Sequence, residues 1–445
     1  MMPGVGGAIA IPEHDLGVAL TPAAWTTPQR AAHADEDRAA MGLPTDRPVV
    51  MSGHQALAFH AGIAARLAAL IAWSERAGAH PAWLVADQEP GNPFSLDLPG
   101  RPGVALSPGY AATGNAPLGL NAPAAMDAPN RLPDDPPGLT RRYIERLRAH
   151  EDAPSAALQV ARAMLDVLIP AMGFDTRPTL VCATDLIATR AFAWHVSECK
   201  ADPRRMHDRY NTAASEQPAA GVRALVTHRN GAVELPLWRV RSAGARLPVF
   251  DAYHLDDEGL LVLPRALGMT GVARHALCDT FIHGAGGLAY EPVNDSGWHG
   301  LAPLCPVVGA TATLLLDPNA GPAPDPQHLA WRAHHARHHP KMVGDEDTQR
   351  ARDALVARLD ELPAGAPERR ETFDALQSLL RTHRETHAEQ LAALRDRAGD
   401  SIQQAERHRG LVARDWPWCV HDEDRLRALG DRVRREIDAA AEGSL

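Results

Sequence analysis

Two histidines and two glycines lie close together in residues 52–62, Ser-Gly-His-Gln-Ala-Leu-Ala-Phe-His-Ala-Gly. The segment follows a short apolar run at 48–51 and precedes a helical pattern that begins near Ile63. A turn between a strand and a helix offers backbone N–H groups to an anion, and the helix dipole favours negative charge there. An imidazole in that turn can donate a hydrogen bond or transfer a proton. We therefore predict binding of a phosphate or a carboxylate by Gly53, His54, Gln55, His60 and Gly62, with His54 and His60 as catalytic residues.

A second glycine-rich segment is Phe-Ile-His-Gly-Ala-Gly-Gly-Leu-Ala-Tyr, residues 281–290. Glycines let a backbone approach a ligand closely, and successive N–H groups can form a nest for an anion. The residues predicted to bind ligand here are His283, Gly284, Gly286, Gly287, Tyr290 and Asp295. The alternative for both segments is structural: the histidines of the first cap a helix, and the second is an ordinary loop.

The elements that must position these segments follow from the apolar pattern. Val49–Met51 predicts a strand, residues 63–71 a helix that ends at Gly78, and residues 82–86 a second strand. This βαβ unit implies a parallel sheet, in which ligands bind beyond the carboxyl ends of the strands. Asp87 and Glu89 follow the second strand at that edge, where carboxylates can orient an amine, a ribose or Mg²⁺. Their alternative is a polar loop that ends a buried strand.

The same patterns predict the domain organisation. We expect an α/β core over residues 1–325 with a long loop insertion at 90–139, which is rich in Pro, Gly and Asn. Helical spacing then predicts a helical hairpin, or a short antiparallel coiled coil, over residues 326–410. Residues 411–445 are predicted to form a C-terminal helical segment that packs back on the core.

Composition excludes several classes of function. The net charge of −10 argues against a nucleic-acid binder, and no window approaches the ~20 apolar residues of a membrane span. The five cysteines are scattered, which favours a reducing cytoplasm over a disulfide framework or a structural zinc site. The run His334-His335-x-x-His338-His339 lacks an acidic partner, so we predict a solvated helix face and no metal site.

Four segments taken together resemble the cysteine-adding enzyme family of bacillithiol biosynthesis (BshC), in a divergent bacterial branch. They occur in the family's order over residues 47–300: Ser52-Gly53-His54-Gln55, Trp83-Leu84-Val85-Ala86-Asp87-Gln88-Glu89, Pro264-Arg265-Ala266-Leu267 and His283 to Tyr290. Gly287 and Leu288 stand where that family has Pro and Glu. The resemblance implies a Rossmann-like, nucleotidylyltransferase-like parallel sheet core with an α-helical coiled-coil hairpin appended.

The resemblance also implies a function. It suggests a ligase that joins an amino acid or another amine to a small-molecule acceptor, with ATP or ADP as the candidate cofactor. Arg265 would then be a catalytic anion clamp, because its guanidinium fork binds carboxylate or phosphate in a bidentate way. The helical hairpin would support a homodimer. Two alternatives stay open: a non-catalytic protein that binds a nucleotide or sugar phosphate, and a metal-dependent hydrolase that uses the histidines.

Overall fold

The computed structural model describes residues 9–21, 31–110, 115–126, 132–241, 244–251, 255, 260–320 and 325–442. The strands in these residues are β1 (Gly17–Leu20), β2 (Val49–His54), β3 (His80–Val85), β4 (Ser95–Leu98), β5 (Arg101–Ala105), β6 (Thr179–Cys182), β7 (Glu234–Arg241), β8 (Arg246–Phe250), β9 (Leu260–Pro264), β10 (Thr280–His283) and β11 (Val307–Thr313). The helices are α1 (Ala34–Ala40), α2 (Ala61–Ala77), α3 (Thr140–Ala149), α4 (Ala156–Ala171), α5 (Arg190–Ala201), α6 (Pro203–Glu216), α7 (Ala266–Val272), α8 (Ala285–Trp298), α9 (Pro326–His335), α10 (Glu346–Glu361), α11 (Pro367–Thr386), α12 (Ala388–Val412) and α13 (Glu423–Glu442).

The central sheet has six strands in the order β1-β11-β10-β2-β3-β6. All neighbouring pairs are parallel except β1 with β11, which is antiparallel at the edge. Val49, Val50 and Met51 of β2 are fully buried, as an apolar strand inside a parallel sheet must be. The predictions of an α/β protein and of a parallel β2-α2-β3 unit are confirmed, and Gly78 ends α2 in the left-handed conformation.

The strand order reverses at the centre of this sheet. The chain passes from β2 to β3 and β6 on one side, and later to β10 and β11 on the other. Strands β2 and β10 are therefore neighbours whose following loops lead to opposite sides of the sheet. Ile282 pairs with Ser52, so the turn after each strand begins at the same level. Such a reversal leaves a crevice at the carboxyl ends of the strands, where α/β proteins bind ligands.

Helices cover both faces of the sheet, because successive side chains along a strand point to opposite faces. On one face α2 packs against β2, β3 and β11, and α13 packs against α2. The opposite face forms a core cluster with residues of α5, α7 and α8, which includes Met51, Leu84, Phe281, Phe192, Val272 and Trp298. The first turns of α2 and α8 are thereby held at the crevice edge.

The chain divides into two compact units, Met1–Leu314 with Arg414–Leu445, and Leu315–Ala413. The first unit also holds a two-stranded sheet, β4-β5, within the predicted loop insertion, and a three-stranded sheet in the order β8-β7-β9. The second unit contains four helices in its described residues, α9 to α12, where a hairpin was expected. Helix α12 packs against α9, and α10 packs against α11. None of the described helices has the length and hydropathy that a bilayer span requires.

Candidate functional site

His54 ends β2 at the crevice. Its Nδ1 lies 3.0 Å from the backbone carbonyl of Gln55, and because a carbonyl only accepts, Nδ1 carries the proton. The neutral ring therefore has its lone pair on Nε2. Burial and the nearby cation of Arg66 lower the pKa of His54 to about 3, against a small opposing effect of the Gln55 bond. At neutral pH His54 is thus an uncharged acceptor of a proton or a hydrogen bond.

His60 caps the N-terminus of α2. Its Nδ1 accepts a hydrogen bond of 3.0 Å from the N–H of Gly62, so the proton of the neutral ring lies on Nε2. A Cβ at position 62 would lie 2.6 Å from the His60 ring, which explains the glycine there. Burial and the cations of Arg414 and Arg66 lower the pKa of His60 to about 4. The Gly62 N–H is therefore engaged by His60, whose Nε2–H remains a donor.

Arg66 of α2 lies between the two glycine turns. Its Nη1 donates a hydrogen bond of 2.8 Å to the Gly53 carbonyl, and its Nε lies 3.3 Å from where a Cβ on Gly284 would be. The residue is 7% exposed, and among the described residues no carboxylate pairs with it. Burial lowers the pKa of Arg66 to about 10, with an opposing effect of Tyr290. At neutral pH Arg66 is therefore a buried cation, and no residue that the structure describes supplies a counter-charge to it.

The N-terminus of α8 lies beside Arg66. Gly284 is its N-cap, and no side chain of the described residues caps it. The first main-chain bond of the helix runs from the Leu288 N–H to the Gly284 carbonyl, so the N–H groups of residues 285–287 precede the helical ladder. A Cβ on Gly286 would meet no atom within 4 Å, so space is open in front of this turn. Free N–H groups and open space suit an anion.

A buried charge network supports this second turn from behind. Nε2 of His283 lies 2.7 Å from Glu291, Glu291 also pairs with Arg274, and Arg274 reaches Asp295 at 2.7 Å. Burial alone would raise the pKa of Glu291, but His283 and Arg274 lower it to about 2. A Cβ on Gly287 would lie 2.2 Å from His283 Nδ1, so this glycine accommodates the imidazole. His283, Gly287 and Asp295 are therefore structural supports of the turn.

Tyr290 contacts the edge of the His283 ring, with 5.5 Å between the ring centroids. Burial raises the pKa of Tyr290, as does the charge of Glu291, so the phenol stays protonated at neutral pH. The hydroxyl of Tyr290 lies close enough to Arg66 for each group to shift the pKa of the other, so the second turn lies beside the first. Of the predicted ligand-binding residues, the structure therefore brings together Gly53, His54, His60, Gly284 and Tyr290 around Arg66.

The two acidic residues after β3 are engaged within the protein. Asp87 accepts hydrogen bonds from the Thr184 N–H at 2.8 Å and from its hydroxyl at 2.6 Å. Glu89 forms a 2.8 Å ion pair with Arg246 of β8. Asp87 is 1% exposed, and burial raises its pKa to about 6, although the two bonds from Thr184 oppose the shift. These carboxylates join the end of β3 to neighbouring elements, so their geometry favours the structural alternative.

Asp87→Asn should raise the free energy of unfolding at pH 8 by about 1–3 kcal/mol. The folded pKa of about 6 exceeds the ordinary value of 3.8, so the folded state holds its proton more tightly than the unfolded state. Stability from the neutral carboxyl is present below about pH 4 and is lost as the pH rises through 6. Urea denaturation at pH 4 and pH 8 measures the difference, which should vanish at pH 4. A variant less stable than the parent at pH 8 would show that the charge stabilises the fold.

Arg265 is neutralised by other partners. It forms an ion pair with Glu234, which Arg223 shares, and its guanidinium lies over the Trp238 ring, 4.0 Å from the centroid. Burial lowers the pKa of Arg265, and the charge of Glu234 opposes that shift. The two side chains therefore neutralise each other within the protein. None of these contacts is with the two glycine turns. The predicted anion clamp therefore has no geometric support at the crevice, and Arg66 occupies the place foreseen for it.

An apolar pocket lies on the α5–α8 side of the first unit. His195, Leu267, Val293 and Trp298 contribute to its lining, and the rings of His195 and Trp298 stack at 5.3 Å. Burial lowers the pKa of His195 to about 4, so its ring is neutral. The pocket therefore suits an apolar group rather than an anion.

Comparison of this chain with protein-family models, with curated proteins and with solved structures gives no match. Membership of the cysteine-adding family stays a prediction from the four segments quoted above. Since a fold does not specify an activity, the geometry of the crevice is the basis for a function.

Proposed function

We propose that this chain is an enzyme that binds a small substrate through a phosphate or carboxylate group in the crevice between β2 and β10. The observation that carries the proposal is Arg66, a buried cation that no described carboxylate neutralises. An unpaired buried charge is costly, so its presence at a ligand-binding edge is explained by a counter-charge that the ligand brings. The shape of the guanidinium suits an oxyanion.

The start of α8 supports the same anion. Its N–H groups and the positive end of its dipole lie beside Arg66, and Gly286 leaves open space before them. The combination of a helix N-terminus and an arginine provides several donors to one oxyanion. The reversal of strand order between β2 and β10 supports a Rossmann-like core. The resemblance extends this to a nucleotidylyltransferase-like core, with the second unit as the coiled-coil appendage and dimerisation element.

The two histidines give a scheme for ligation. In the proposed step an amine attacks a carboxyl group activated as an acyl phosphate, which is consistent with ATP as cofactor. The C–N bond forms, the C–O bond to phosphate breaks, and His54 Nε2 takes the proton of the amine. His60 Nε2–H donates to the leaving oxygen, while Arg66 and the N–H groups of α8 hold the phosphate that departs.

A second candidate is a binding protein for a nucleotide or sugar phosphate that performs no reaction. The pKa values of His54 and His60, about 3 and 4, favour it, because both rings are weak bases at neutral pH. A bound anion would raise both values by opposing the nearby cations. His54→Gln separates the candidates: an enzyme should bind its ligand nearly as before and lose turnover, whereas a binding protein has no turnover to lose.

Arg66→Gln should weaken binding of the anion about 10- to 100-fold, since a hydrogen bond to a charged group contributes about 1.5–3 kcal/mol. Native mass spectrometry and calorimetry would test ATP, ADP, pyrophosphate and sugar-malate acceptors. The matched control is Arg76→Gln on the same helix, where Arg76 pairs with Asp438 at the surface. Equal affinity of the parent and Arg66→Gln for every anion that binds would refute the site.

A further inference from the structure

Three side chains of the second unit converge on one point between its helices. Asp345 is the N-cap of α10, His383 lies in the last turn of α11, and His387 lies at the junction of α11 and α12. Oδ2 of Asp345 is 3.1 Å from His387 Nε2 and 3.9 Å from His383 Nδ1. The three potential ligand atoms all lie within 4.8 Å of one another.

One hydrogen bond orients the ring of His383. Nε2 lies 3.0 Å from the carbonyl of Ala336, which only accepts, so Nε2 carries a proton. Nδ1 has no hydrogen-bond partner among the residues that the structure describes, and the side chain is fully buried. Nδ1 is therefore the ring atom left to bind a ligand, and it faces the carboxylate of Asp345, with 3.9 Å between Nδ1 and Oδ2.

His387 and Asp345 are oriented in the same manner. Nε2 of His387 lies 3.1 Å from Oδ2 of Asp345, and because a carboxylate only accepts, Nε2 donates this hydrogen bond. Nδ1 of His387 lies 3.0 Å from Oε1 of Gln390, so Nε2 is the atom that faces Asp345 and that a metal ion would bind in place of the proton. Oδ1 of Asp345 accepts a 3.0 Å hydrogen bond from the Thr348 N–H, which leaves Oδ2 for the histidines. In each of the three residues, one polar atom makes an outer hydrogen bond that orients the other polar atom towards the common point. Outer hydrogen bonds of this kind orient the ligands of metal sites.

We propose that Asp345, His383 and His387 bind a divalent transition-metal ion of the zinc class, with solvent at the remaining position. Zinc takes imidazole and carboxylate ligands at about 2.0–2.2 Å, so tetrahedral ligand atoms lie roughly 3.3 Å apart. The distances of 3.1 and 3.9 Å bracket that value. Two imidazoles with one carboxylate disfavour Mg²⁺ and Ca²⁺, which prefer oxygen ligands. The side chains of Asp345 and His387 are 19% and 20% exposed, so an ion can enter from solvent.

This site lies apart from the histidine run of residues 334–339. The run of four histidines at the end of α9 includes His334 and His338, which are exposed and 6.0 Å apart between ring centroids. No acidic residue was expected beside that run. The proposed site instead takes its carboxylate from Asp345, 38 residues before His383. The ion would join the start of α10 to the junction of α11 and α12, independently of the anion site in the first unit.

The test uses the whole 445-residue chain, stripped with a chelator, and Zn²⁺ or Co²⁺ alone as the probe. We expect one ion per chain, visible absorption bands from bound Co²⁺ and a higher melting temperature with Zn²⁺. Asp345→Asn and His383→Gln should each weaken Zn²⁺ binding about 10- to 100-fold. Asparagine caps a helix as well as aspartate, so Asp345→Asn keeps the start of α10 intact.

The control is the double variant His334→Ala with His338→Ala, which removes an exposed pair at the same spacing as His383 and His387. It should retain the parent affinity, the Co²⁺ bands and the thermal shift. Unchanged Zn²⁺ affinity in Asp345→Asn, or loss of binding only in the double variant, would overturn the proposal. Absence of Co²⁺ bands in the parent would do the same, because a simple histidine–aspartate ion pair predicts that result.

Discussion

Arg274→Met is expected to lower the free energy of unfolding by about 3–5 kcal/mol, whereas Arg66→Met should change it by only about 1 kcal/mol. Both arginines are buried, at 4% and 7% exposure. Arg274 pairs with Glu291 and Asp295, so its removal leaves the buried Glu291 carboxylate with hydrogen bonds to His283 and Asn294 but without its arginine partner. Removing Arg66 loses one hydrogen bond to the Gly53 carbonyl but also removes an uncompensated buried charge.

Urea denaturation of the ligand-free protein at pH 7 measures both changes. Methionine keeps much of the arginine side-chain volume, so cavity formation contributes little to the comparison. If Arg66→Met lowered the free energy of unfolding as much as Arg274→Met, an unrecognised partner would neutralise Arg66. The proposal of an anion-binding crevice would then lose its main support. A small change at Arg66 together with loss of anion binding would separate its role in binding from any role in stability.

Local patterns predicted the elements of the crevice because short-range physics determines them. The apolar run at Val49–Met51, the small apolar residues of α2 and the C-cap at Gly78 all act within a few residues. The resulting βαβ unit places the loop after β2 at the ligand-binding edge in any parallel sheet. The reversal of strand order depends on β10, which follows more than two hundred residues later, and no local signal specifies it.

The roles of the charged residues could not be predicted from local sequence patterns. Arg265 is neutralised by Glu234, 31 residues away, through the pairing of β7 with β9. Asp87 is held by Thr184, 97 residues away, at the end of β6. Conversely, Arg66 stands out in the sequence as the one charged residue within the buried stretch 61–74 of α2. Whether a charged side chain is neutralised depends on partners that are distant in the sequence. A charged residue within an apolar helical pattern, by contrast, can be recognised from its neighbours in the sequence.

The two central glycines of the second turn should respond differently to alanine. Gly287→Ala is expected to lower the free energy of unfolding by about 1–3 kcal/mol, because its Cβ would lie 2.2 Å from Nδ1 of His283. That ring is 4% exposed and is held by a 2.7 Å hydrogen bond to Glu291, so it cannot move without breaking this buried bond. Gly286→Ala should keep or raise stability by up to about 1 kcal/mol, because its Cβ meets open space and alanine favours a helix.

Measuring anion affinity then shows whether each glycine is needed for the fold or for ligand binding. No protein atom requires a glycine at position 286, because a Cβ there meets open space. A ligand bound in front of α8 would contact that Cβ, so Gly286→Ala should weaken anion binding and leave the fold intact. Thermal denaturation and calorimetry on the same samples measure both quantities. Full affinity in Gly286→Ala would mean that no ligand approaches this turn closely, and the anion would then have to be held by Arg66 from the side of the first turn. Unchanged stability in Gly287→Ala would show that the His283 ring has room to shift, so the network around Glu291 would not be the rigid support of α8.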